Sequence, residues 1–279
     1  MNTTRLLITL TAAAALAAAA SAQIRTLSGF SAQTLAANDD GSTGLVSLGF
    51  TANFFGTDYT KTFVNNNGNL TFDSALGEYT PFNLYTANRV IIAPFFADVD
   101  TRAPGSSLAT YGTGSLGGHN AFAANYLNVG VYDQLPIFNS FQVVVIDRAD
   151  TGAGNFDFEF NYTKIIWETG TASNGNNLGL GGHSARVGYS NGSASHSFEL
   201  AGSAINGALL DSNLPTGLIH NSLGTAFDGQ AADGRYDFAV RNGQVIPPTG
   251  AVPEPSTYGL LGAGLLAAMV AVRRFRKAA

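Results

Sequence analysis

From residue 44 to residue 240 the apolar residues fall in short runs, many alternating with polar ones, and Gly, Asn and Ser clusters separate them. No stretch keeps the 3.6-residue period of an amphipathic helix, so the pattern predicts strands throughout. The first three run over 44–55, 60–64 and 69–72. The second and third are joined by Asn65-Asn66-Asn67-Gly68, a turn sequence that tolerates positive φ. Residues 90–93 are continuously apolar and read as a central strand buried on both faces, whose pairing Pro94 should end. A glycine- and serine-rich loop over 105–118 follows, then strands at 129–132 and 141–147. In 156–162 the aromatics Phe156, Phe158, Phe160 and Tyr162 alternate with Asp157, Glu159 and Asn161, which predicts one aromatic face and one solvated face. A Gly/Asn loop covers 169–182. A hairpin around Asn191-Gly192 joins 185–190 to 197–200, and the last strand is 236–240. The expected fold is all-β: a single-domain antiparallel sandwich over 23–243 with a proline-bearing linker at 244–251.

Two terminal segments break this pattern. Residues 1–22 carry Arg5, an alanine-rich apolar run and Ala20-Ser21-Ala22, whose small residues suit signal peptidase. They are expected to be a signal peptide for the Sec translocon, cut between Ala22 and Gln23. At the other end, 252–279 combines Pro253-Glu254-Pro255, an uncharged segment at 258–272 and a basic cluster of Arg273, Arg274, Arg276 and Lys277. A helix over 258–272 would be about 22 Å long, short of the ~30 Å hydrocarbon core, and needs the basic residues to snorkel into the head groups. The same residues hold that end in the cytoplasm. This layout resembles the PEP-CTERM sorting signal of Gram-negative bacteria. The resemblance implies recognition and removal of the tail by exosortase, after transient anchoring in the inner membrane. A plain C-terminal anchor following a proline-terminated linker is the alternative.

The body resembles a family too. FFGTDYTKTFVNNNGNLTF (54–72), RVIIAPFFADVDTR (89–102), FQVVVIDRA and FDFEFNYTKIIWE (within 141–168) and ARVGYSNG (185–192) are similar, in order, to the nidogen-like (NIDO) domain over roughly 45–200. That resemblance implies an extracellular, non-catalytic interaction module, of the kind found in basement-membrane and mucin-like proteins, with no catalytic residues to carry over.

Charge narrows the partners. With both terminal segments set aside, 9 basic and 18 acidic residues remain, so the body repels phosphate backbones and anionic lipid head groups, and nucleic acid is not expected as a partner. There is no cysteine, which excludes disulfides, thiolate metal sites and a cysteine nucleophile even in an oxidising compartment.

Candidate chemistry is sparse. Asp98 and Asp100, with Asp147 as a more distant third, are the candidate Ca²⁺ ligands, since that ion takes clustered carboxylate oxygens. Asp98-Val99-Asp100-Thr101-Arg102 lacks the glycine and distal glutamate of an EF-hand, and Arg102 offers a charge-pairing explanation instead. Aspartates capping a turn after a strand are the commoner case. Asp157 and Glu159 have the spacing of a glycosidase pair, but their place on the polar side of an alternating strand predicts solvated, ordinary carboxylates. His119, His183, His196 and His220 show no zinc spacing and read as loop residues. Gly112–Gly117 formally matches a dinucleotide-loop fingerprint without the strand and helix that loop requires. The resulting expectation is a non-enzymatic exported module that contacts extracellular polysaccharide or a surface protein. A calcium-dependent adhesin and a secreted glycoside hydrolase are the alternatives.

Overall fold

The computed structural model describes residues 24–225, 228–229 and 232–246. The expected signal peptide, its cleavage site and the whole of 247–279, with the Pro-Glu-Pro motif, the 258–272 segment and the basic cluster, lie outside the described residues. Fourteen strands form the body: β1 (Gln33–Thr34), β2 (Val46–Phe54), β3 (Thr57–Asn65), β4 (Asn69–Thr71), β5 (Val90–Phe96), β6 (Val99–Asp100), β7 (Thr110–Leu116), β8 (His119–Val131), β9 (Leu135–Asp147), β10 (Phe156–Lys164), β11 (Arg186–Asn191), β12 (Ser197–Glu199), β13 (Arg235–Arg241) and β14 (Gln244–Ile246). Among the described residues the only helical elements are single 3₁₀ turns, and no helix is long and apolar enough to cross a membrane.

The strands make two antiparallel sheets. One runs β1-β7-β8-β9-β10-β13-β14 with β6 added beside β8, and the other runs β12-β11-β5-β4-β3-β2. Their inner faces share one aromatic core. Phe158 stacks on Phe238 with centroids 4.7 Å apart, while Phe54 and Tyr189 from the opposite sheet meet Phe158 edge-on at 6.4 and 5.8 Å. These are the offset and edge-to-face arrangements that ring quadrupoles favour. The aromatic side of 156–162 therefore faces the core, as alternation predicts. Two buried hydroxyls cross between the sheets: Tyr126 donates to the Asn65 carbonyl at 2.6 Å, and Tyr162 to the Pro94 carbonyl at 2.5 Å.

The other side of β10 departs from expectation. Asp157, Glu159 and Asn161 are buried, with Glu159 at 0% exposure. The reason is the N-terminal segment, which crosses the outer face of the sheet. Arg25 donates from its backbone to Gln142 Oε1 at 3.0 Å and accepts from Gln142 Nε2 at 3.1 Å. Further on, Asn125 Nδ2 donates to the Phe30 carbonyl at 2.8 Å, and the Phe30 ring forms a small second core with Leu116, Ala121, Ala123, Val144 and Ile146. A face that looks solvated in one strand's pattern is covered at Glu159 by chain more than a hundred residues away, and at Asp157 by Arg148 and Arg241 at the ends of the neighbouring strands.

Three boundaries also differ. β5 continues through Pro94 to Phe96, because a register shift against β11 falls between Ala93 and Phe96, where a missing N–H breaks no ladder bond. Much of the expected loop at 105–118 is β7. A Cβ on Gly112 would lie 2.1 Å from the Gly29 carbonyl oxygen, and one on Gly114 2.5 Å from that of Ser28. These glycines make a strand surface that residues 28–30 can cross at backbone distance, and they are not loop punctuation. Finally, Gln244–Ile246, expected to begin the linker, pair with β13 as β14.

Candidate functional site

The acids nearest to a functional arrangement gather where the chain passes from one sheet to the other. Asp98 lies between β5 and β6, and Asp39 and Asp40 lie between β1 and β2. The Asn65–Gly68 turn brings them together. Asn66 Nδ2 donates to the carbonyls of Asp39 and, at 2.6 Å, of Val99. Asn67 Nδ2 donates to Asp40 Oδ1 at 2.9 Å while its Oδ1 accepts from the Val99 N–H at 3.0 Å. All of Asn65, Asn66 and Asn67 are fully buried, so this hairpin is a scaffold of side-chain amides as well as a turn.

One carboxylate oxygen from each of Asp39, Asp40 and Asp98 lies within 4.8 Å of the other two, and among the described residues this is the group of three acids or histidines so placed. Asp98 is 2% exposed, and its Oδ2 is buried without a hydrogen-bond partner, as is Asp39 Oδ1. Burial first, then the charges of Asp39, Asp40 and Asp100, pushes Asp98 up to about 8. Burial, then Asp100 and Asp40, pushes Asp39 up to about 6. On the far side, Gly170 closes against Asp98 so tightly that a Cβ there would sit 2.3 Å from Oδ2.

Asp100, paired with Asp98 in the sequence reading, is engaged elsewhere. Arg102 grips it through Nε and Nη2, each at 2.8 Å, and the backbone N–H of Arg102 adds a third contact at 2.9 Å. The same guanidinium reaches Asp39 Oδ2 at 2.8 Å. Asp147 caps the Ala149 N–H at 3.0 Å at the end of β9 and is not part of the trio. Asp39 and Asp40 were missed because Asn-Asp-Asp-Gly reads as a turn, and nothing local says that a second turn and a sheet crossover close over it.

The β10 carboxylates are held by arginines. Asp157 accepts from Arg148 at 2.7 Å and Arg241 at 2.5 Å. Glu159 accepts from Arg25 at 2.8 Å, with Arg235 at 4.0 Å and Asn161 Nδ2 at 2.8 Å. The expectation of two solvated carboxylates is therefore corrected. An acid and base pair for glycoside hydrolysis needs one carboxyl free to hold a proton and another open to substrate. Here both are covered and charge-paired. The histidines are dispersed: His119 on β8 near Asp150 at 3.7 Å, His196 against the Phe55 ring, and His220 on the Asp211 carbonyl at 2.7 Å.

A two-sheet antiparallel sandwich with an aromatic core and charge-paired acids defines a β-sandwich module. Residues 16–215 match the family model described as NIDO related, and the chain belongs to that family. Residues 251–277 match the PEP-CTERM protein-sorting motif, which contains Pro253-Glu254-Pro255. Among curated proteins the chain is similar to alpha-tectorin: 31% identical over 189 residues to those of Mus musculus and Homo sapiens, and 32% over 188 residues to that of Gallus gallus. These matches cover 59% of this chain but less than a tenth of each relative's own length. No solved structure gives a significant match. The family and the sorting motif together make this an exported, surface-directed protein.

Proposed function

We propose that the protein is a non-enzymatic interaction module, delivered through the Sec translocon and released from its C-terminal anchor by exosortase, that contacts extracellular polysaccharide at the cell surface. The observation that carries this reading is the PEP-CTERM match at 251–277 on the same chain as a NIDO-related sandwich. The geometry supports a binding role over a hydrolytic one, because Asp157 and Glu159 are each neutralised by arginine. Tyr79 and Tyr85, in the segment between β4 and β5, are each 40% exposed and offer ring faces on which sugars stack. That surface rests on a rigid sheet, the usual division of labour between scaffold and loop.

The test compares the full chain with a form ending at residue 251, each expressed in a bacterium with and without its exosortase. Mass spectrometry of the surface fraction should find a C-terminus near Pro253-Glu254-Pro255 only where exosortase and tail are both present, and that form should co-sediment with the exopolysaccharide of the same cells. Recovery of Arg273–Lys277 on the surface form refutes the processing. Loss of co-sedimentation with polysaccharide, but retention on a protein partner, moves the ligand to the adhesin reading, which the acidic cluster favours.

A further inference from the structure

Three carboxylates cluster around a buried oxygen of Asp98 that has no hydrogen-bond partner, and the one arginine that reaches the cluster, Arg102, contacts Asp39 and Asp100. We propose that Asp39, Asp40 and Asp98 form a Ca²⁺ site that pins the Asn38–Gly41 turn to the β5–β6 crossover. This goes beyond the surface role proposed above and stands without it. The first observation is distance: oxygens sharing a Ca²⁺ at 2.3–2.6 Å are separated by at most about twice that length, and the three carboxylates lie within 4.8 Å of one another. Mg²⁺ demands a strict octahedral array at about 2.0–2.1 Å and keeps several of its waters, which suits a cluster of three protein carboxylates less well. The second is that Asp98, 2% exposed, aims an unpartnered Oδ2 into a wall closed by Gly170, while Asp39 leaves Oδ1 unpartnered as well. Buried carboxylates are normally hydrogen-bonded, paired or bound to metal, and an isolated one costs several kcal/mol.

The scaffold is already built for the ion. Asn66 and Asn67 fix the Asp39–Asp40 backbone and the Asp40 carboxylate, and the Asp98 carbonyl accepts from the Tyr132 N–H at 3.1 Å, so the donors come from backbone held in place before any ion arrives. Arg102 does not replace the ion, because its guanidinium is shared between Asp39 and Asp100 and no contact runs from it to Asp98 or Asp40. A site with three carboxylates and an exposed Asp40 at its mouth belongs with the weaker extracellular Ca²⁺ modules, which work at roughly 10⁻⁴–10⁻³ M.

The full-length chain, stripped with EDTA and dialysed, is titrated with CaCl₂ by calorimetry and by thermal unfolding. One Ca²⁺ per chain should bind, and Tm should rise with the logarithm of Ca²⁺ concentration once the site begins to fill, since the ion binds the native state. Asp40→Asn and Asp98→Asn should each weaken binding at least tenfold, while Asp58→Asn, an exposed acid on β3, should titrate as wild type. MgCl₂ should give a smaller shift. Because Asp98→Asn alters a buried group, circular dichroism checks its fold, and the exposed Asp40→Asn decides if it fails. Absence of heat and of a Tm shift at millimolar CaCl₂ overturns the site. Wild-type affinity in Asp40→Asn, or an equal response to MgCl₂, overturns the assignment of these ligands or of calcium.

Discussion

Replacing Arg25 by methionine tests whether the outer face of β10 is truly interior. The substitution keeps an apolar stem over the sheet and removes only the guanidinium. Glu159, whose side chain is 1% exposed, then keeps Asn161 at 2.8 Å and a guanidinium 4.0 Å away as its compensation. Stranding one member of a buried pair costs about 3–5 kcal/mol, a large share of the stability of a typical domain. Glu159→Gln should cost less, about 1.5–3 kcal/mol, because it replaces the ion pair with a bond from the Arg25 guanidinium to one neutral amide oxygen and leaves Arg25 its contact with Asp228 at 2.9 Å. The double variant strands no charge, so its cost should fall short of the sum by at least about 2 kcal/mol. Urea unfolding of the full chain followed by fluorescence gives all three values from one probe, because the single tryptophan, Trp167, is fully buried. A cost below about 0.5 kcal/mol for Glu159→Gln, which a solvated carboxylate would show, or strict additivity, refutes the buried pair and restores a wet face.

Further expectations follow from the core, the crossing and the charges. Phe158→Ala should cost about 3–5 kcal/mol in the same assay, since it removes a fully buried ring that stacks on Phe238 and meets Phe54 and Tyr189. Gly112→Ala should lower stability by about 1–3 kcal/mol by pushing residues 28–30 off β7, while Gly44→Ala, with open space around it, should be near neutral by thermal unfolding. Asp237 is raised by burial and then by Glu159, with Asp228 adding to the rise and Arg235 and Arg25 opposing it. The folded state therefore holds a proton that the unfolded state releases near pH 4, and the stability is fully present below that pH and lost as pH rises through neutrality. Asp237→Asn should flatten that fall, and an unchanged slope in a pH series of urea midpoints refutes it.

How much of this was legible in the sequence depended on where each residue's partners lie along the chain. The aromatic side of β10 was readable because the alternation of Phe156, Phe158, Phe160 and Tyr162 is local and one inner face is enough to place it. The polar side was not, since what covers Asp157 and Glu159 comes from Arg25, Arg148 and Arg241. β7 was hidden for a related reason. Its Gly112 and Gly114 signal a loop on composition, whereas their period-two spacing signals a strand whose one face must be bare for another backbone to cross. Asp98 was singled out for its place after a buried strand, but Asp39 and Asp40 lie almost sixty residues earlier in what reads as an ordinary turn. Asn66 and Asn67 join the two through bonds that no short window contains.

The distribution of positive charge gives the acidic trio its meaning. Each of the seven arginines between residues 24 and 246 contacts a carboxylate: Arg25 and Arg235 at Glu159, Arg148 and Arg241 at Asp157, Arg186 at Glu199, Arg89 at Asp73 and Arg102 at Asp100 and Asp39. With twice as many acids as bases in the body, arginine cannot cover every carboxylate, and surface acids need none because water solvates them. A buried acid has no such recourse. Glu168 solves the problem by accepting the Gly207 and Leu209 N–H groups at 2.6 and 2.7 Å. Asp98 has neither an arginine contact nor a hydrogen bond at Oδ2, and the charges of Asp39, Asp40 and Asp100 raise it further, with Arg102 opposing them. Arginine and backbone N–H groups compensate Asp157, Glu159 and Glu168, and burial leaves Asp237 protonated; Asp98, beside two further acids, has neither of the first two devices at Oδ2, so it is where the proposed cation would compete with a proton.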